Sequence, residues 1–241
     1  MTIAAVNIGT PVSLTNVSSL TFPHTVSAGS DRLLTVVVGG ANTFNSDVSG
    51  DYGGTPLVFV DFGRTSNSAQ KVFLLRLVNP AVGTANVFID LLSTFNAVSG
   101  QAVTWTGVDQ TVPMGSTATV QNSGTQSSGA LTGIASAVGD VILDAIIVAT
   151  GASQTLIPNA AQTLLFEEDP TSRAAGSSYK PASAGSSGTS WSWQNAGNWG
   201  ILGVALKPAP APSGDVLRSL GMDGGAESGL KMSGMNGGIR G

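Results

Sequence analysis

The side chains able to do chemistry in this sequence are few: one histidine, no cysteine and 14 acidic residues among 241. His24 sits in Phe22-Pro23-His24-Thr25, where a histidine beside a proline reads as a turn or strand-end residue. Its nearest acidic neighbour in sequence is Asp31, and neither a G-x-S-x-G nucleophile elbow nor an H-E-x-x-H zinc motif occurs. Ser177-Ser178-Tyr179-Lys180 fits S-x-x-K, a pattern that works when a helical turn sets the lysine beside the serine and a K-T-G strand lines the pocket. Here the stretch reads as a loop entering a strand, Pro181 follows it and K-T-G is missing, so the match is accidental.

The acidic residues offer two groupings for a hard cation. Asp47-Val48-Ser49-Gly50-Asp51 alternates oxygen donors as a calcium loop does at its start, but Val58 falls where the bidentate glutamate is needed. Glu167-Glu168-Asp169, before Pro170, is a concentrated acidic corner. Both read as solvated turns. A glycan hydrolase would need two carboxylates facing each other across a groove, and the sequence does not bring candidates such as Asp61 and Asp90 together. The expectation is a protein that is not an enzyme, with no catalytic residue, metal or cofactor.

The tryptophans carry more information. Trp191 and Trp193 lie two apart and share one face of a strand, with Trp199 expected just across a short turn. Such a cluster is a candidate glycan platform, because aromatic faces stack on sugar rings. Packing in a sandwich core, with each indole N–H bonded to a loop, is the favoured alternative. Asn16-Val17-Ser18 is the one glycosylation sequon and, with no signal peptide read at the N-terminus, carries no weight.

These residues must be positioned by β-structure. Charged residues make up 10% and hydrophobic residues 41% of the chain, with 32 glycines, a balance unlike either a disordered or a helical protein. Short β-rich runs recur between Gly, Asn, Asp, Ser and Pro punctuation, the pattern of an antiparallel β-sandwich or jelly roll. The clearest are Arg32–Gly39, Pro56–Phe62, Gln70–Val78, Ala85–Leu92, Gln101–Thr106, Asp140–Thr150, Thr189–Gln194 and Asn198–Lys207. Weaker ones fall at 3–8, 12–22, 116–122, 130–137, 161–168 and 174–180. Several are apolar on both faces, which suits strands covered by a second layer or by a partner chain. A net charge of −4 without any Lys/Arg cluster argues against nucleic-acid binding, and no apolar run is long enough to span a membrane.

After Lys207 the composition changes. Residues 1–207 read as the sandwich domain, 208–213 as a Pro-Ala linker and 214–241 as a tail. Pro208-Ala209-Pro210-Ala211-Pro212 favours an extended, semi-rigid spacer. The tail holds three of the five methionines and is rich in glycine, so it has too few apolar groups to offset its own ordering. Leu217, Leu220, Met222, Leu230, Met232, Met235 and Ile239 are therefore expected to dock on a partner chain, methionine being suited to adaptable contacts.

Several segments together resemble a class of phage and environmental-bacterial β-sandwich proteins. They are RLLTVVVGG at 32–40, YGGTPLV at 52–58, LLRLVNPAVGTANVFID at 74–90, TWTGVDQTVPMG at 104–115 and SAVGDVILDAIIV at 136–148. The most distinctive is SSYKPASAGSSGTSWSWQNAGNWGILGVALKPA at 177–209. The resemblance covers roughly residues 30–209, omits the tail and brings no catalytic or ligand residues with it. It implies a concanavalin-like or jelly-roll-like sandwich found beside virion structural proteins. The function expected is a virion accessory protein, first of all a capsid decoration or cement subunit made without a signal peptide. Its expected partners are other virion proteins and copies of itself, a trimer being one arrangement. A tail, fibre or baseplate component, or a carbohydrate-binding adhesin module contacting host glycans, are the alternatives.

Overall fold

The computed structural model describes residues 2–41, 48–67 and 69–211, the side chains of 123–125 excepted. Those residues contain no helix, hence none long and apolar enough to cross a membrane. The strands are β1 (Ala4–Ile8), β2 (Val12–Leu14), β3 (Val17–Val26), β4 (Leu33–Ala41), β5 (Ser49–Tyr52) and β6 (Thr55–Pro56). They continue with β7 (Val58–Arg64), β8 (Gln70–Val78), β9 (Gly83–Phe95), β10 (Ala97–Thr106) and β11 (Ala118–Ser136). Last come β12 (Val141–Ala149), β13 (Ile157–Pro158), β14 (Thr163–Glu168), β15 (Arg173–Pro181) and β16 (Gly185–Leu206). The fold is an all-β, antiparallel sandwich.

Three sheets stack. The central one runs β1-β10-β4-β8-β7 with β2 also on β10; the outer one runs β3-β9-β5-β6; the third runs β11-β16-β12-β15-β14 with β13 on β16. Because side chains alternate along a strand, β4 feeds two cores at once. Leu33 and Val37 meet Leu143, Ile147, Leu202 and Val204 of the third sheet. Leu34, Val36 and Val38 meet Leu20, Phe22, Val87 and Ile89 of the outer sheet. The strands that are apolar on both faces are thus covered from within the chain. Each fully buried aliphatic side chain here contributes about 1.5–3 kcal/mol.

The third sheet is covered on its other face by its own ribbon. Residues 118–122 of β11 pair with 199–203 of β16, whereas 128–136 pair with 185–192, and the register slips between Asn122 and Ser128. At that irregularity the ribbon bends, so that Leu131, Ile134, Trp191 and Trp193 pack over Ile142, Ile146 and Ile201. Gly203 makes room for this: a methyl there would lie 2.6 Å from Ile134 Cδ1 and 2.7 Å from Leu131 Cδ2. The runs 189–194 and 198–207, and likewise 116–122 and 130–137, are therefore single long strands. Asn195-Ala196-Gly197, expected as a turn, is a bulged stretch inside β16, and Trp199 lies on the same strand as Trp191.

Gly53 and Gly54 close a two-residue turn between β5 and β6, with φ of 57° and 83° and the Gly54 amide donating to Asp51 Oδ1 at 2.8 Å. The chain divides into a compact unit, Met1–Pro210, and a second, Ala211–Gly241, of which only Ala211 is described.

Candidate functional site

The tryptophans define the first site to be weighed. Trp191, Trp193 and Trp199 are 2%, 5% and 4% exposed, and Trp193 meets Trp199 edge-on at 6.1 Å between centroids. The rings belong to the core between the folded ribbon and the third sheet, so these three tryptophans do not form an open platform. A depression of about 520 Å³ on the ribbon surface, lined by Trp191, Trp199, Asn159 and serines, sees the two indoles only at this small exposed fraction.

Beneath Trp191 lies a buried carboxylate. Asp144 stands on β12 between Ile142 and Ile146 and is 1% exposed. Its Oδ1 accepts from the Ser178 amide at 3.0 Å and hydroxyl at 2.6 Å. Its Oδ2 accepts from Trp191 Nε1 at 2.8 Å and Gln162 Nε2 at 3.3 Å. Gln162 in turn accepts the Ser190 amide at 2.8 Å, a second tie from the sheet to the ribbon. Burial pushes the Asp144 carboxyl up from the usual aspartate range, opposed by the hydrogen bonds it accepts. Asp144 interrupts an apolar run in the sequence, and a lone carboxylate inside such a strand requires donors from another element. The arrangement locks the ribbon down and leaves no hydroxyl or carboxylate open to a substrate.

The remaining candidates are dispersed. His24, near the end of β3, is 3% exposed; its Nε2 lies 2.8 Å from Thr104 Oγ1 and its Nδ1 has no partner. Desolvation holds its pKa down at about 4. Ser177 and Lys180 share β15 but, three apart on a strand, point to opposite faces, and the Ser177 hydroxyl donates to the Asp144 carbonyl at 2.6 Å. The acidic corner is structural: Glu168 Oε2 accepts from Ser13 Oγ at 3.0 Å, and Glu167 Oε1 from the Leu156 amide at 3.3 Å. Asp169 accepts two further amides. Burial raises the Glu167 pKa. Asp51 caps its turn, and Asp47 lies outside the described residues. Asp61 on β7 and Asp90 on β9 belong to different sheets, Asp61 accepting from the Thr117 hydroxyl and Asp90 from the Leu92 amide. No group of three His, Asp or Glu that could hold a metal occurs among the described residues.

The chain's exit from the body is the last feature. Lys207 Nζ bonds Asp140 Oδ2 at 2.6 Å, and Asp140 is buried, its Oδ2 also accepting the Ala137 amide at 2.8 Å. The Lys207 amide donates to the Pro113 carbonyl, the Asp109 amide to the Lys207 carbonyl and the Ala209 amide to the Gly107 carbonyl, at 2.8–2.9 Å. Pro208 and Ala209, expected in the linker, thus belong to the body, and Ala209 is 6% exposed. The expected docking residues Leu217, Leu220, Met222, Leu230, Met232, Met235 and Ile239 lie outside the described residues. Comparison with protein-family models, with curated proteins and with solved structures gave no match.

Proposed function

We propose that this protein is a structural accessory subunit of a virus particle, first of all a capsid decoration protein, whose sandwich sits on the particle and whose C-terminal segment anchors it to neighbouring chains. The observation that supports this reading is a contrast between two parts of the chain. The body covers its own apolar sheet faces and clamps its last strand at Lys207–Ala209, giving whatever follows a fixed point of departure. The segment beyond carries Leu217, Leu220, Met222, Leu230, Met232, Met235 and Ile239 among many glycines, apolar groups that need a partner's surface to be buried. Association with copies of itself belongs to the proposal, but the doubly apolar strands do not argue for it, because the chain covers them itself.

The test is a chain truncated after Ala211, compared with the full chain for cosedimentation with purified particles lacking the protein. The expected result is an unchanged melting temperature and lost cosedimentation. A truncated chain that binds particles as well as the full one overturns the reading.

A further inference from the structure

At one end of the body, loops from distant parts of the sequence meet: the β7–β8 turn, the turn leaving β12 and the β14–β15 turn, with the bulge of β16 beside them. They enclose a cleft of about 580 Å³ lined by Asn67, Gln70, Thr150, Ser172, Arg173 and Asn198 together with small residues. Arg173 is the one charged residue in that lining.

Its guanidinium is fixed but not satisfied. Nη1 donates to the Thr171 carbonyl at 3.2 Å and hydroxyl at 3.3 Å, while Nε is buried without an acceptor. No carboxylate among the described residues pairs with Arg173. Asp169, the acid nearest to it in sequence, spends Oδ1 on the Arg173 amide at 2.8 Å and Oδ2 on the Gln154 amide at 2.5 Å.

Asn67 is oriented by the core. Its Oδ1 lies 2.6 Å from the hydroxyl of the fully buried Thr65 and accepts the Ala69 amide at 3.2 Å, which leaves the Nδ2 donors unspent. Ser172 adopts a left-handed φ of 62°, a conformation a serine keeps only where its surroundings hold it. The cleft therefore offers an unpaired cation and free N–H and O–H groups, with no carboxylate among the described residues that line it.

We propose that this cleft binds the carboxylate of an acidic saccharide. The planar guanidinium matches a carboxylate, and the surrounding amides and hydroxyls match ring hydroxyls. Ala149 and Ala196 are the only apolar side chains lining the cleft, so an acidic peptide would find no anchor for a large side chain. The site is independent of the C-terminal anchor and transfers the glycan role from the buried tryptophans to the opposite chemistry, charge recognition.

The full chain is titrated with trigalacturonic acid and, in parallel, with neutral galactotriose, sodium acetate and a glutamate-rich peptide, following the side-chain amides of Asn67 and Asn198 by proton–nitrogen NMR. Saturable shifts with the acidic trisaccharide alone are expected. Arg173→Gln should weaken binding by roughly tenfold or more. Asn67→Asp, which places a carboxylate in the cleft at unchanged size, should do the same should Arg173→Gln fail to fold. No shift with trigalacturonic acid, or equal binding by a folded variant, overturns the site; equal binding of acetate, peptide or neutral sugar overturns the saccharide assignment.

Discussion

Trp191 Nε1 donates to Asp144 Oδ2 at 2.8 Å, and this bond fastens the folded-back half of the β11–β16 ribbon to the sheet beneath it. Removing the donor leaves a buried carboxylate short of a partner. Trp191→Phe should therefore destabilise the fold by about 1.5–3 kcal/mol from the bond alone, with lost packing in addition. Urea unfolding checks this, and a double-mutant cycle with Asp144→Leu, which has no acceptor, should return a coupling of about 1–3 kcal/mol. Additive effects would mean that the bond does not hold the ribbon.

The same carboxylate should give stability a distinctive pH dependence. Burial raises the Asp144 pKa in the folded state, so the fold favours the protonated carboxyl. Its contribution is then most favourable below the unfolded value, about 3.9, and is lost as pH rises through the elevated folded value. Glu167 is shifted in the same direction. Asp144→Asn removes this slope, so the stability of the natural chain relative to the variant should fall as the pH rises above about 4. Chemical denaturation at several pH values measures it; a difference independent of pH would refute the account.

His24 acts with the opposite sign. Its folded pKa is lowered to about 4 from 6.5, so the fold prefers the neutral ring. The stability tied to it is complete above the unfolded value and is lost as pH falls from about 6.5 towards 4. As the only histidine in the chain, it gives one set of ring C–H resonances by NMR, whose titration midpoint should lie near 4. A midpoint close to 6.5 would show that the ring is hydrated.

Much of the β-framework was legible because local patterns coincide with the strands: the run Gln70–Val78 is β8 itself, and β-branched residues between turn formers behave as expected. The stacking was not legible. The near-continuous apolar run Leu33–Val38 says that both faces are covered but not by what, and the answer on one face lies in residues over 100 positions away, such as Leu143 and Leu202. Asn195-Ala196-Gly197 misled because the residues that favour turns also favour bulges. Of the site features, the tryptophans were visible as a cluster, yet their burial depends on a ribbon bend that only long-range pairing creates. Arg173 carries no signal in sequence at all, because its cleft exists only where separate turns meet.

The exit clamp separates two truncations that composition alone would treat as equivalent. A chain ending at Ala211 keeps Lys207 and its bond to buried Asp140, together with the Ala209 amide bonded to Gly107. A chain ending at Leu206 loses both and leaves the Asp140 carboxylate buried without its cation, a change that costs about 3–5 kcal/mol in buried pairs and less here, because Lys207 is partly exposed. Lys207→Met, which keeps the aliphatic stem, isolates the charge and should destabilise by about 1–3 kcal/mol. Thermal melts of the three chains should rank Ala211 truncation above Lys207→Met above Leu206 truncation. Equal melting temperatures for the two truncations would mean that residues 207–209 are not part of the folded body.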